Sequence, residues 1–299
     1  MLLNLGGHGL GDCLLSLQIS YLLKEKRISH TNCISTRSQI FGPLKHLFGE
    51  KYDFIQVDEL YTHNNKVILN HDMQRELKQK FNCDDLTYNV PDLLFHHPLA
   101  LNFDKYSLNP QLIKKQRLLT NTLIKKEKIV YCGLATSTQG YLYSHIKNLL
   151  IALACSLPDY TIYLPNVKKW DKDINMGDLT GEFPSNVLIH ENPEFEDSLD
   201  YLSKSKYGIF TCNGPSHIAY HLGIPRLILD PQFEKVPWMS RWKEDFGECI
   251  DINTQYTDIV DLVAANIKNP ETTLIDRKRF LELIKNGYNN WKDAFLLKY

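Results

Sequence analysis

One stretch of the sequence decides the fold: residues 207–230 read YGIFTCNGPSHIAYHLGIPRLILD. Its apolar start is typical of a buried strand that ends at Thr211. Gly214 permits a tight turn that a side chain would block, and Pro215 suits the first position of a helix, where its missing N–H costs nothing. The pattern predicts a strand over 207–211, a helix over 215–222 and a second strand over 226–229.

The turn before this helix has the features of an anion site. We expect the free N–H groups of Ser216 and His217 to point outward at the carboxyl end of the sheet, where open α/β sheets bind ligands. Thr211 and Ser216 add hydroxyl donors, and His217 donates to a phosphate oxygen, or carries a charge if its pKa is raised. The alternative is a plain strand–turn–helix in which Asn213 caps the helix and His217 is an ordinary surface residue.

The same alternation of strand and helix extends towards the N-terminus of this stretch. An apolar strand from Lys128 is followed by a turn over 136–140, and further elements are predicted as a helix over 146–155, strands over 160–164 and 187–190, and a helix over 198–204. Strands that alternate with helices indicate an α/β fold with a mostly parallel sheet that is covered on both faces.

The N-terminus begins with its own strand, turn and helix. Residues 1–5 are apolar, a glycine-rich turn follows over 6–11, and Leu15, Ile19 and Leu22 then recur at helical spacing. Because this pattern restarts near Lys128, the sequence predicts two Rossmann-like lobes. We expect an N-terminal lobe over 1–125, a C-terminal lobe over 126–275, and a terminal helix over 276–299 that packs back on the first lobe.

Composition excludes several classes of protein. The 299 residues carry a formal net charge of −1, so no global field attracts nucleic acid or an anionic membrane. The seven cysteines are irregularly spaced and form no C-x-x-C pair, which indicates neither a zinc site nor a disulfide framework. No apolar run approaches the roughly 20 residues that span a bilayer. We therefore expect a cytoplasmic protein with no metal, no nucleic-acid partner and at most peripheral membrane contact.

The stretch from Thr211 to Pro225 resembles the C-terminal motif of the ADP-heptose:lipopolysaccharide heptosyltransferases and their GT-B relatives. In that family a strand runs into Asp-Thr-Gly-Pro-x-His-x-Ala and then Gly-x-Pro. The positions that match are Gly214, Pro215, His217, Ala219, Gly223 and Pro225, whereas Cys212 and Asn213 stand where the family tends to have Asp-Thr. The resemblance implies two GT-B lobes and a nucleotide-sugar donor whose diphosphate lies at this turn.

The N-terminal turn, GGHGLGD over residues 6–12, fits neither a dinucleotide fingerprint nor a Walker A loop, because Asp12 stands where these need Gly or Lys. It is similar to the heptosyltransferase turn that ends in Gly-Asp, with Gly9 and Gly11 shaping the turn. That resemblance implies that Asp12 is the catalytic base, with His8 as a rival. The alternative is that Asp12 only caps the helix, whose dipole also lowers its pKa.

A third candidate is the turn over 136–140. Its hydroxyls and backbone N–H groups are suited to binding phosphate from the other side, and Lys147 takes the place of the basic residue that the family carries in a Lys-x-Trp-Pro setting. The alternative for Lys147 is a solvated side chain. The full expected diphosphate site is Thr211, Asn213, Gly214, Pro215, Ser216, His217, Ser137, Thr138 and Lys147.

Together these features predict a glycosyltransferase that moves a sugar from a nucleoside-diphosphate donor to an acceptor hydroxyl. The resemblance further implies an inverting, metal-independent reaction that needs no cofactor besides the nucleotide-sugar donor, and a glycan or lipid-linked glycan acceptor. Two alternatives stay open. One is a sugar-nucleotide epimerase or hydrolase on the same scaffold, and the other is a non-catalytic module that binds a nucleotide-sugar or a partner.

Overall fold

The computed structural model of the chain describes residues 2–6, 10–34, 54–56, 71–80, 82–89, 125–136, 140–141, 143–167, 179–211, 213–230 and 248–268. The chain divides into two compact units, Met1–Thr120 and Asn121–Tyr299. The domain boundaries expected from the sequence stay a prediction. The terminal helix expected over 276–299 lies outside the described residues.

The described part of the N-terminal unit contains a parallel sheet of four strands in the order β3-β2-β1-β4. The elements are β1 (Leu2–Gly6), α1 (Leu10–Glu25), β2 (His30–Ile34), β3 (Phe54–Gln56), α2 (His71–Lys80) and β4 (Asp85–Asn89). Because β1 and β2 are parallel neighbours, α1 is the crossover between them, and this βαβ unit confirms the predicted N-terminal pattern.

Helix α1 buries leucine side chains together with two polar ones, Gln18 and Ser20. Leu14 and Leu23 are fully buried, and the helix ends in charged residues with Lys24 in its last turn. Arg27 then adopts a left-handed conformation with φ 57°, and the N–H of Ile28 donates to the carbonyl of Leu23 at 2.9 Å. This turn closes the helix and leads the chain into β2.

The C-terminal unit is built on a sheet of six parallel strands in the order β12-β11-β10-β5-β8-β9. The strands are β5 (Glu127–Gly133), β8 (Thr161–Asn166), β9 (Val187–Glu191), β10 (Ser205–Thr211), β11 (Arg226–Asp230) and β12 (Glu248–Asp251). The helices are α3 (Ile146–Ser156), α4 (Phe195–Lys204), α5 (Gly214–His221) and α6 (Tyr256–Lys268), and β6 (Ala135–Thr136) pairs with β7 (Gly140–Tyr141) in a small antiparallel ladder.

The larger core of this unit lies on one face of the sheet. Val130 and Cys132 of β5 and Leu227 and Leu229 of β11 are fully buried there with residues of α3 and α6. The successive side chains of each strand alternate between faces, so the residues between them belong to the other face. This pattern confirms the prediction of an α/β fold with a parallel sheet.

The other face of the sheet carries aromatic side chains. The Tyr131 and Phe210 rings stack with their centroids 5.8 Å apart, and the Tyr131 hydroxyl shares a 2.7 Å hydrogen bond with Ser198 of α4. A Cβ on Gly208 would overlap the Phe210 ring, and one on Gly133 would come within 2.6 Å of it. These two glycines therefore make the room that Phe210 needs.

The strand order places a switch point between β5 and β10. From β5 the chain proceeds outward to β8 and β9, then returns to add β10, β11 and β12 on the other side of β5. Loops after β5 and β10 leave the sheet in opposite directions at such a point, and the crevice between them is where open α/β sheets bind ligands. The turn singled out in the sequence, after β10, is one side of this crevice.

Most elements predicted in the C-terminal unit are confirmed to within a few residues at each end, but others were missed. The described structure adds β4, α2, β6, β7, β12 and α6, which were not predicted from the sequence. Strand β4 reads DLTYN and α2 reads HDMQRELKQK, and neither has the strong apolar pattern on which such predictions depend. No helix among the described residues is long and apolar enough to cross a membrane.

Candidate functional site

Asn213 caps the N-terminus of α5. Its backbone is extended, with φ −143° and ψ 170°, and its Oδ1 accepts the N–H of Ser216 at 3.1 Å. The Ser216 hydroxyl in turn donates to the Asn213 carbonyl at 2.6 Å. The expectation of a free N–H at Ser216 is therefore wrong, because the cap has taken it. The helix-cap alternative for Asn213 is confirmed.

The amide group of Asn213 also reaches across to the neighbouring strand. Its Nδ2 donates to the carbonyl of Gly133 at 2.5 Å and to that of Ala135 at 3.0 Å. Both carbonyls belong to the exit of β5. One half-buried side chain thus connects the turn after β10 with the turn after β5, the two sides of the switch point.

Thr211 contributes a third bond to the same strand exit. Its side chain is fully buried, and its Oγ1 donates to the carbonyl of Leu134 at 3.2 Å. The single hydroxyl proton of a threonine makes one hydrogen bond, so here it is used within the protein. The role of Thr211 as a phosphate donor stays a prediction.

His217 lies one residue beyond Ser216 in α5, and its environment differs from the expected one. Desolvation and the nearby Arg226 guanidinium lower the pKa of His217 to about 3. The condition under which His217 was expected to carry a charge, a raised pKa, is therefore not met. Arg226 is buried at the start of β11 and lies over the Tyr220 ring at 5.3 Å from its centroid.

The end of α5 explains the Gly-x-Pro part of the motif. Gly223 has φ 67°, a conformation that favours glycine. The N–H of Ile224 donates to the carbonyl of Ala219, and that of Gly223 to the carbonyl of Tyr220, both at 2.9 Å. This pair of bonds closes the helix and directs the chain into β11.

Lys147 is in the first turn of α3 and is only partly exposed. Its ammonium group donates to the carbonyl of Thr180 and lies 5.9 Å from the centroid of the Phe183 ring. It is therefore not a purely solvated side chain, and its expected contact with a diphosphate stays a prediction. Cys212, Ser137 and Thr138 lie outside the described residues.

A second polar network at the carboxyl edge was not predicted. The Tyr141 hydroxyl donates to Asn166 Oδ1 at 3.1 Å, and Asn166 Nδ2 donates to both carboxylate oxygens of Glu191 at 3.0 and 3.1 Å. Asn166 ends β8 and is buried, whereas Glu191 ends β9 and is exposed. The signal that could have found this network is an amide, Asn166, and a carboxylate, Glu191, each at the end of a strand.

The N-terminal candidates are described only in part. Gly11 and Asp12 are the second and third residues of α1, so Asp12 lies inside the first helical turn rather than at the residue before it. His8 and Gly9 lie outside the described residues. Within the described ranges, no cluster of three or more His, Cys, Asp or Glu side chains is arranged to hold a metal ion.

Neither a protein-family model nor a curated protein matches the sequence of this chain. Solved structures do match its fold. The E. coli ADP-heptose lps heptosyltransferase II is 12% identical, with a TM-score of 0.53 over 91% of this chain and 100% of that chain. The E. coli heptosyltransferase WaaC with ADP is 13% identical, with a TM-score of 0.55 over 89% of this chain and 99% of that chain.

A protein with a different chemistry has the same architecture. A putative UDP-N-acetylglucosamine 2-epimerase from Listeria monocytogenes is 11% identical, with a TM-score of 0.50 over 95% of this chain and 89% of that chain. At these identities the likeness concerns the fold alone. The chain is therefore similar in fold to the GT-B enzymes. Glycosyltransferases and UDP-N-acetylglucosamine 2-epimerases share this GT-B fold.

Proposed function

We propose that this protein is a glycosyltransferase that moves a sugar from a nucleoside-diphosphate donor to an acceptor hydroxyl. The observation that carries the proposal is the start of α5, which bears the Gly-Pro-x-His motif and borders the switch point between β5 and β10. Two heptosyltransferases of the same fold support it. The crevice at a switch point is the usual ligand site in such sheets.

The donor's diphosphate binds at Gly214 and His217 in this proposal, because both donors of Ser216 are bonded to Asn213. The N-terminus of a helix carries a partial positive charge, which stabilises the negative charge that grows on the leaving nucleoside diphosphate as the glycosidic bond breaks. His217 takes part in the proposed site through its imidazole, which is neutral in the folded protein. An arriving dianion also favours protonation of the imidazole, so donor binding is expected to raise the pKa of His217.

Asp12 is the proposed catalytic base, and His8 is the rival. An acceptor hydroxyl that attacks the anomeric carbon must lose a proton, and a carboxylate or an imidazole accepts it. Direct attack by the acceptor inverts the configuration at that carbon. The proposal includes no metal ion, a cytoplasmic location, and a glycan or lipid-linked glycan as the acceptor.

Nucleotide binding is the first test. The melting temperature is measured with ADP-, GDP-, UDP- and CMP-sugars and with the corresponding nucleotides. A ligand at a hundredfold its dissociation constant adds about 2.7 kcal/mol to the free energy of unfolding, which a thermal shift detects. Stabilisation by one nucleotide class supports the proposal and identifies the base. No stabilisation by any of them would contradict it.

The catalytic base is tested by Asp12→Asn and His8→Ala. We expect Asp12→Asn to lower kcat by about 10²- to 10⁴-fold, the usual contribution of a general base, with little change in donor affinity. His8→Ala is expected to have the smaller effect on kcat. If both variants transfer sugar at the wild-type rate, the proposed mechanism is wrong, although the function itself is not excluded.

The epimerase or hydrolase alternative is kept because an epimerase has the same fold. Product analysis separates the two. Free nucleotide and an altered free sugar, formed without any acceptor, would contradict the transferase. A non-catalytic module, in contrast, would bind the donor with no turnover, and its binding would not depend on Asp12.

A further inference from the structure

At the exit of β5, three consecutive backbone carbonyls accept hydrogen bonds from the end of β10 and from the turn that follows it. The carbonyls of Gly133 and Ala135 accept from the Asn213 amide, and the carbonyl between them, of Leu134, accepts from Thr211. Carbonyl oxygens repel an anion, and each of these three is bonded to a donor instead. The two turns at the switch point are therefore fixed to each other, mainly by Asn213.

The start of α5 offers a diphosphate few backbone N–H donors. Pro215 has no N–H, and the N–H of Ser216 is bonded to Asn213. Among the first three residues of α5, only Gly214 has a backbone N–H that donates no hydrogen bond within the described part of the chain. A diphosphate has several anionic oxygens, and sites that bind one surround it with several donors. A second set of donors has to come from another turn.

The described residues 134–136, which follow β5 and are called the turn after β5 from here on, are the candidate for those donors because Asn213 and Thr211 fix this segment beside α5. The ladder of β6 and β7 begins at Ala135, one of the two residues whose carbonyls Asn213 holds. We propose that Asn213 is a positioning residue that couples the turn after β5 to the start of α5, so that one diphosphate contacts both turns. This inference rests on the proposed function, since it names how the same donor site is assembled.

The substitution Asn213→Ser distinguishes the two roles of Asn213, the coupling of the two turns and the capping of α5. Serine is as good a capping residue as asparagine, so α5 keeps its cap. The serine side chain is too short to reach the carbonyls of Gly133 and Ala135, so the connection between the turns is lost. We expect the dissociation constant of the best-bound nucleotide among ADP, GDP and UDP to rise at least tenfold.

Asn186 provides a matched control. Its amide donates to the carbonyls of Ala154, Leu157 and Tyr160 at 3.1, 3.3 and 3.0 Å. It has the same kind of clamp as Asn213, but it precedes β9 and therefore lies at the opposite, amino edge of the sheet. Asn186→Ser is expected to lower the melting temperature and to leave the dissociation constant of the nucleotide within threefold.

Titration calorimetry below the melting temperature of all variants decides the inference. The inference is supported if the dissociation constant of the nucleotide rises at least threefold more in Asn213→Ser than in Asn186→Ser. A smaller difference overturns it while leaving the proposed function intact. If wild type binds none of ADP, GDP and UDP, both are overturned.

Hydrogen exchange on the wild-type protein gives a readout that does not depend on the folding of a variant. The same nucleotide is expected to slow exchange both in residues 133–136 and in residues 213–217. Slower exchange in only one of these segments would overturn the coupling. In Asn213→Ser we expect the protection of 133–136 to be lost while that of 213–217 remains.

Discussion

Asn213 and His217 are four residues apart at the start of α5, and the structure gives them different chemistry. The side chain of Asn213 makes four hydrogen bonds within the protein, three from its Nδ2 and one to its Oδ1. His217 is kept neutral because desolvation and Arg226 both oppose a positive charge. In the proposed site an anion meets a neutral imidazole at a helix N-terminus, with the Arg226 guanidinium beside that imidazole.

The pH dependence of stability tests this environment. The pKa of His217 is about 3 in the folded protein and near 6.5 when unfolded, so the unfolded chain takes up the proton first. The contribution of the neutral His217 to the free energy of unfolding is fully present above about pH 6.5 and is lost as the pH falls towards 3. We expect the free energy of unfolding, from urea titrations at pH 7 and pH 5, to fall less in His217→Gln than in wild type.

Burial also lowers the pKa of His30. Because His30 is present in both wild type and His217→Gln, its effect on the pH dependence of stability is the same in the two proteins. Equal losses of stability in wild type and in His217→Gln would contradict the assigned environment of His217.

Among the secondary-structure elements, the aromatic face of the C-terminal sheet shows how two strands constrain each other. Phe210 of β10 stands opposite Gly133 of β5 in the parallel register. Its ring lies over that glycine and over Gly208 of its own strand. The ring also stacks on Tyr131, so it has little freedom to move aside. The end of β10, from which Asn213 follows, is positioned by this packing.

Gly208→Ala is therefore expected to destabilise the protein by about 1–3 kcal/mol, the usual cost of overpacking a core. The change is measured by denaturant unfolding. In a Phe210→Leu background the same alanine is expected to cost less, because the ring that it meets is gone. An equal cost in both backgrounds would exclude the Phe210 contact as the cause.

At the scale of the whole molecule, each of the two units has a parallel sheet of its own. We expect calorimetry to show two unfolding transitions, with a total enthalpy above the van't Hoff value. A saturating nucleotide is expected to raise the midpoint of the transition of unit 121–299 because the diphosphate turns belong to it. A single transition whose calorimetric and van't Hoff enthalpies agree would contradict this prediction.

Much of the α/β architecture could be predicted from local pattern. Strand β10, helix α5 and strand β11 follow from an apolar run, a Gly-Pro pair and a Gly-x-Pro, and the structure has them within a few residues of the predicted limits. Strand β4 was missed because its five residues include Asp85, Thr87 and Asn89. It is a strand because it pairs with β1, and such pairing is invisible in the segment itself.

The candidate site was predictable in position but not in detail. The motif located the turn after β10, and the strand order confirmed that this turn borders the switch point. The network of Tyr141, Asn166 and Glu191 escaped prediction because its members are 25 residues apart in sequence at each step. Only the parallel pairing of β8 with β9 brings Asn166 and Glu191 together.

The sequence by itself determined the succession of β10, α5 and β11 and the start of α5, because glycine, proline and apolar spacing act over a few residues. The tertiary structure decided what the residues of that turn do. Asn213 bonds carbonyls that are 80 and 78 positions away in the chain, and His217 stays neutral because the packing of α5 on β11 desolvates it beside Arg226. Hydrogen bonds and pKa values depend on neighbours in space, and the tertiary structure determines which residues are neighbours.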